Sequence, residues 1–250
     1  MNVVAVDCST DVLAVAAARG TGGPASTPSL PKHPYRDDGG HGHAPGPGFA
    51  TVSIDAGFRH AERLMGAIEY CVSEAGFDRS NLDLLVCAGG PGSFTGLRIG
   101  MATVKGLALG LGKPFVAVPT LDAWAAAWEG ASPVVVPVMD AKRARFYFGL
   151  YRSGGPVQGP FDDGLARILE LTSGCPEVLF VGPDADMLEN IVSERAGFRF
   201  VDGRRSVPVG KLLDLGLARY LGRGADDPDA DLLYLRASDA EENAAAGRSA

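Results

Sequence analysis

One pattern occurs twice in this chain and limits its fold more than any other. VVAVDCSTDVLAVAAAR runs strand, aspartate, polar turn, strand, arginine, with Arg19 twelve residues after Asp7. VVPVMDAKRARFYFGLYR repeats the order, with Arg152 twelve residues after Asp140. The elements after each copy repeat too. The first continues through a strand at 50–54 and an amphipathic helix at 60–75, whose apolar face is Ala61, Leu64, Met65, Ile68, Val72 and Ala75. Then come a buried strand at 83–89, a helix ending near 110, a strand at 115–118 and a helix at 121–128. The second copy reads as strands at PVVVPVMD and RARFYFGLYR and a weakly marked third strand near 157–161. A helix near 163–172, a strand at 177–181, a helix near 184–195, a strand at 198–201 and a helix at 208–222 complete it.

Both halves therefore read βββαβαβα, which is the sign of an internal duplication. Two such copies form the plan of the actin-like ATPase fold, an α/β, ribonuclease H-like architecture of two subdomains. In that plan ligands sit between the copies, and the polar turns after the first strands face them. The expected division is 1–128, 129–225 and a largely flexible tail at 226–250. An insert at 20–48 interrupts the first copy. Fourteen of its 29 residues are Gly or Pro, and it reads as an exposed, mobile loop. His41 and His43 lie in it, and two histidines without further ligands make no closed metal site.

Composition excludes several classes. No apolar run reaches the ~18–20 residues of a membrane span. The opening MNVVAVDCST has no basic region and carries Asp7, unlike a secretory signal. Four cysteines without a C-x-x-C pair read as free thiols in a reducing cytoplasm. A net charge of -7 lacks the footprint of an autonomous nucleic-acid binder, so a partner would supply most contacts to RNA phosphates.

The stretch GGPGSFTGLRIGMATVKGLALG, 89–110, admits two readings. As a phosphate cradle it is poor. No G-x-x-x-x-G-K-[ST] string exists. Gly90, Gly92 and Gly96 only imitate a dinucleotide fingerprint, after the fourth strand rather than the first and without an acidic ribose ligand. As a helix it separates into three faces. Leu97, Met101, Val104, Ala108 and Leu111 form a core stripe, and Arg98 and Lys105 a basic one. Gly96, Gly100, Thr103, Gly106 and Gly110 form a small-residue face flanked by Ile99 and Leu107. Each interior glycine costs ~1 kcal/mol relative to alanine. A second helix approaching closely would compensate, either 60–75 or one from another subunit. Purely internal packing stays equally open.

GGPGSFTGLRIG followed by VKGLALGLGKP resembles the signature of the TsaB (YeaZ) family of tRNA threonylcarbamoyladenosine biosynthesis. VVAVDCST, FRHAERLM, VMDAKRARFYFGLY and LLYLR resemble further family segments. The resemblance covers about 3–19, 50–152 and 234–236, while 153–230 matches in element order alone. It implies a subunit that pairs with the larger paralogue TsaD, the transferase, through helices of the first domain, joined by the ATPase TsaE. It implies tRNA contact only within that complex, self-pairing into a homodimer when alone, and no cofactor in this chain. ATP, threonylcarbamoyl-adenylate and metal would belong to the partners. The interface would use His60, Arg63, Leu64, Gly96, Arg98, Ile99, Gly100, Thr103 and Leu107.

The residues allow a check on catalysis. Where the paralogue has V-H-H-x-E-G-H, this chain has VPTLDAW, placing Thr120 and Trp124 at the metal positions. No H-E-x-x-H or H-x-x-E-H is present for a metallopeptidase. Arg145 or Phe146 replaces the family's Glu in its D-A-R segment. The rival reading is an autonomous actin-like ATPase or kinase, with Asp7 and Asp140 on Mg-ATP and Ser9 and Thr10 as phosphate donors. Against it, Asp7 and Ser9 suit a turn cap better than a ligand set. His60, at a helix start, reads as an interface residue or a base. Trp124 and Trp128 read as core or cleft packing.

Overall fold

A computed structural model describes residues 1–20, 48–153 and 155–235, so most of the 20–48 insert with His41 and His43 lies outside the described residues. β1 (Val3–Asp7), β2 (Val12–Ala18) and β3 (Phe49–Asp55) lead to α1 (His60–Glu74), β4 (Leu84–Ala88), α2 (Phe94–Leu111), β5 (Phe115–Val118) and α3 (Thr120–Ala127). β6 (Val135–Asp140), β7 (Arg145–Arg152) and β8 (Gly155–Gly164) open the second round. α4 (Leu165–Thr172), β9 (Val178–Gly182), α5 (Glu189–Val192), β10 (Phe198–Asp202) and α6 (Val209–Arg223) complete it.

The strand order is β3-β2-β1-β4-β5 in one sheet and β8-β7-β6-β9-β10 in the other. The pairing sense also repeats. The three-strand meanders are antiparallel, and β1 with β4, like β6 with β9, is parallel. The duplication read from two aspartate turns is thus a duplication of topology. Asp7 and Asp140 end equivalent central strands, opposite Ala14 and Phe146.

β1 and β2 are buried along their whole length, so helices must cover both faces of their sheet. Successive side chains point to opposite faces. Cys87 accordingly meets Met101 of α2 on one side, while Val86 lies against Gly216 of α6 on the other. α1 and α2 lie side by side on the outer face. On the second sheet, alternate residues divide likewise. Val136, Val138 and Phe180 pack on Ile168 and Leu188, while Val135, Met139 and Val181 pack on Leu121 and Ala125 of α3.

The last helix of each repeat has crossed over. α6 ends the second copy yet covers the first sheet, α3 ends the first copy yet covers the second, and the two pack on each other. Trp124 joins the first core with Leu212, Leu213 and Leu217. Packing therefore runs across the 128/129 position at which the sequence repeat turns over.

The structure adds detail to the sequence reading in three places, and corrects it in the first. The helix near 184–195 is a 3-10 turn at Ala185–Leu188 followed by the single turn of α5. Its buried residues, Ala185 and Leu188, are three apart and suit the tighter repeat. The weak third strand is a ten-residue edge strand, β8, whose prolines an edge tolerates but whose alternation they hide. Residues 226–235, which include the LLYL that the sequence sets apart from the rest of the tail, are strapped along α2, through Lys105 to Ala230 and Arg98 to Tyr234. No helix among the described residues is long and apolar enough to cross a membrane.

Candidate functional site

The cleft between the copies is the first place to look. Asp7 is fully buried at the end of β1, and its Oδ1 accepts the Ser9 N–H at 2.7 Å. The Thr10 hydroxyl is bonded to the Val12 backbone within the same turn, the N–H donating to Oγ1 at 3.1 Å. Ser9 is 1% exposed, and its carbonyl accepts the Ser93 N–H at 2.7 Å. These residues fold a turn inward rather than present donors outward.

The glycine motif explains why. A Cβ on Gly96 would sit 2.0 Å from the Cys8 carbonyl oxygen, and one on Gly92 would sit 2.6 Å from that of Ser9. Gly100 is tight against the Cys8 side chain, with 3.4 Å to its Cβ position. The first turns of α2 therefore clasp the β1–β2 turn backbone to backbone. Ser93 caps the helix, its Oγ accepting from the Gly96 N–H at 3.3 Å. At this helix start the N–H groups of Ser93 and Gly96, which could otherwise face an anion, are turned to the chain's own oxygens.

The second aspartate is neutralised from within. Asp140 accepts the Lys142 backbone N–H and pairs with its ammonium, both at 2.7 Å, while its own N–H donates to Asp184 at 2.8 Å. The turn reaches this geometry with positive φ at Lys142, Arg143 and Ala144. The hydrogen bond to Asp140 holds the Lys142 pKa above its ordinary value, with Asp184 and Asp11 adding to it. Asp11 belongs to the first copy, so the charge of one aspartate turn is felt at the other.

Several buried polar atoms of the first repeat are unpartnered. Asp7 Oδ2, Ser9 Oγ, His60 Nε2, Thr120 Oγ1 and Trp124 Nε1 have no hydrogen-bond partner among the described residues. Burial raises the Asp7 carboxyl above its ordinary 3.8, opposed by hydrogen bonding from Ser9 and the charge of His60. The folded state then holds a proton that the unfolded chain releases. The stability from Asp7 is full below about 3.8 and is lost as pH rises through the raised value. Asp7→Asn should therefore melt higher than the parent at pH 8, with the two converging near pH 4. A variant that melts lower at pH 8 would show the charged form to be the stabilising one.

No group of three or more His, Cys, Asp or Glu among the described residues could hold a metal ion. Thr120 and Trp124 are buried, 0% and 1% exposed. A cavity of about 280 Å³ lies elsewhere, between α3 and the β7–β8 hairpin, where the Tyr151 hydroxyl donates to Asp122 at 2.7 Å. No sequence signal marks it.

The second place is the outer face of α1 and α2. Of the residues expected at an interface, His60, Leu64, Gly96 and Gly100 are buried inside the chain. Within the chain their contacts are internal. His60 and Leu64 seat α1 on its sheet, and the two glycines admit the Cys8 turn. Arg63 and Arg98 are exposed, and Ile99, Thr103 and Leu107 are half-buried. The core stripe falls as expected except that Leu111 is half-buried. The small-residue face splits, and the strip of α2 open to solvent runs through Arg98, Ala102, Gly106, Leu109 and Gly110.

Gly66 and Gly106, each in mid-helix on this surface, have no internal explanation, and neither has Gly110 at the end of α2. Gly66 lies inside α1 and Gly106 inside α2, and a Cβ on either would meet nothing within 4 Å. Large apolar side chains accompany them. Phe58 is fully exposed, Leu109 is 86% exposed, and Tyr70 is 54% exposed. Sequence reasoning misses Gly66, Phe58, Tyr70 and Leu109. The available signal is a glycine inside a helix, and it applies to α1 as much as to α2.

Two sheets of one topology, joined through an exchanged pair of helices, define a duplicated, two-lobed actin-like α/β protein. The TsaD family model, described as tRNA N6-adenosine threonylcarbamoyltransferase, matches residues 54–195. Over 190 residues the chain is 30% identical to the tRNA threonylcarbamoyladenosine biosynthesis protein TsaB of Bacillus subtilis, covering 73% of this chain and 82% of that one. It is 34% identical over 96 residues to the Escherichia coli protein of the same name, 37% of this chain and 41% of that one. A solved structure, YeaZ from Pseudomonas aeruginosa, superimposes with a TM-score of 0.70 at 20% identity, over 94% of this chain and 100% of that one. This chain belongs to the TsaB (YeaZ) family.

Proposed function

We propose that this chain is a non-catalytic partner subunit in the formation of threonylcarbamoyladenosine on tRNA. It holds and activates a TsaD-type transferase through α1 and α2, with a TsaE-type ATPase joining them in the cytoplasm. The Bacillus subtilis and Escherichia coli relatives support the pathway. The observation that carries the role is the pair of exposed mid-helix glycines, Gly66 and Gly106, on an apolar two-helix surface. In an isolated subunit each costs ~1 kcal/mol of helix stability with nothing gained. Against a second helix pair they allow close backbone approach. Alone, the same surface would pair with a second copy.

The closed cleft supports the non-catalytic half of the reading. Asp7 and Ser9 are turned inward, Asp140 is held by Lys142, and Thr120 and Trp124 stand at the paralogue's metal positions. Nucleotide, metal and the threonylcarbamoyl donor are assigned to the partners, and tRNA to the assembled complex.

The test is a reconstitution with one component omitted. TsaD-type and TsaE-type partners, the threonylcarbamoyl-adenylate supply and unmodified tRNA are combined with and without this chain, and the modified nucleoside is quantified by mass spectrometry. Modification is expected only with the chain present, and none from the chain alone. Equal modification without it would sink the partner role and return the autonomous ATPase reading through Asp7 and Asp140.

A further inference from the structure

The basic stripe of α2 is engaged by the end of the chain. After α6, Asp226 accepts the Ala117 N–H at 2.8 Å, pairs with Arg219 at 3.0 Å and donates its own N–H to Phe115. This pins the segment to the edge of the first sheet. Farther along, the Lys105 ammonium donates to the Ala230 carbonyl, Leu232 is buried, and the Leu233 N–H donates to the Gly89 carbonyl at 2.7 Å. The strap reaches the first turn of α2 at Tyr234.

There Arg98 is held from two sides. Its guanidinium carbon lies 3.7 Å from the centroid of the Phe94 ring and 5.7 Å from that of Tyr234. Its Nε donates to the Tyr234 hydroxyl at 3.0 Å, and the two rings are 5.5 Å apart. The side chain is nonetheless exposed, and no acidic residue among those described pairs with it. A stacked guanidinium fixed at Nε presents its two terminal nitrogens as a fork, which matches a carboxylate or phosphate bidentately. Part of the ordering cost of binding has been met before the ligand arrives.

The position of the fork decides between those ligands. Arg98, Ala102 and Gly106 succeed one another at four-residue intervals along the exposed strip, so the fork stands about 12 Å from the Gly106 position. The residues that follow it along this strip, Ala102, Gly106, Leu109 and Gly110, are uncharged and, but for Leu109, small. Lys105, the other cation of the stripe, is turned to Ala230. A nucleic-acid backbone needs a series of cations. One fork beside an apolar strip suits one acidic side chain on a helix lying in that strip.

We propose that Phe94, Arg98 and Tyr234 form a pre-organised receptor for a single carboxylate of the protein that docks on α1 and α2, and that the C-terminal strap holds this receptor in place. This rests on the proposed docking role of those two helices. The probe is the cognate TsaD-type subunit, titrated calorimetrically against the full chain at several salt concentrations. Arg98→Gln is expected to raise Kd about 10- to 100-fold and to flatten its dependence on salt. Tyr234→Phe keeps the ring but loses the hydrogen bond, and should weaken binding only a few-fold with the salt slope retained. Thermal melts confirm folding. If Arg98→Gln is unstable, Arg98→Lys keeps the charge without the fork and should bind between the parent and Arg98→Ala.

Parental Kd and salt slope in Arg98→Gln overturn the receptor, even where Gly106→Leu abolishes binding and the docking face stands. Parental binding by Gly106→Leu removes the face itself and the receptor with it. Unchanged subunit affinity with weaker tRNA capture by the assembled complex would identify the ligand as phosphate and overturn the carboxylate.

Discussion

Gly96→Ala is expected to destabilise the chain by about 3 kcal/mol or more, the upper range for forcing an atom into a packed site. The added Cβ would lie 2.0 Å from the Cys8 carbonyl oxygen. That oxygen belongs to backbone at the end of a wholly buried strand, so no flexible side-chain end can yield. For a chain of this length the loss corresponds to roughly 6–12 °C in Tm. Against a typical total of about 5–15 kcal/mol it is severe. The control lies ten residues along the same helix. Gly106→Ala meets open space and should raise Tm by a few degrees, through about 0.5–1 kcal/mol of helix propensity. Differential scanning calorimetry of the two variants reads both signs. Equal melting of Gly96→Ala and parent would mean that α2 does not clasp the β1–β2 turn.

The second large effect is on assembly. Gly106→Leu should leave the isolated chain folded, since nothing lies within 4 Å of the new Cβ. It should nevertheless lose the TsaD-type partner by 100-fold or more, because a leucine holds apart two helix backbones that approach over glycine. Gly66→Leu tests the same point from α1. Gly106→Ala then separates stability from association, since it should make a more stable subunit that binds more weakly. Size-exclusion chromatography with the partner, together with assay of the modified nucleoside, reads the outcome. A Gly106→Leu chain that co-elutes at parental stoichiometry would remove α2 from the interface.

These two glycines also show where sequence reading stops. In composition and local context Gly96 and Gly106 are alike, two small residues placed on one face of one helix. One is surrounded by the Cys8 turn, reached from the far end of the chain's first strand, and the other by solvent. Only long-range contact tells them apart. The repeat, the strand order within each copy and the core stripe of α2 are legible because they rest on local periodicity and on a spacing that occurs twice. The burial of His60 and Leu64 is half legible. Leu64 falls on the apolar face of α1 by its spacing, whereas the residue type of His60 points to the surface and only its position on that same face points inward. Of the strap only the LLYLR segment is legible, while its course is not, since its anchors at Gly89, Arg98 and Lys105 lie more than a hundred residues away from it.

The exchange of α3 and α6 has a consequence for how the protein is made. The inner face of the first sheet receives most of its cover from α6, which begins at Val209, whereas β5 is complete at Val118. Ribosomes add about 5–20 residues per second, so β1, β2 and β4 spend roughly 5–20 s after β5 has been made with one apolar face largely bare. A nascent chain halted anywhere before α6 would present that face to other nascent chains and to chaperones. The first lobe cannot mature ahead of the second, and the two lobes commit to the native state as one unit, once α6 has been made.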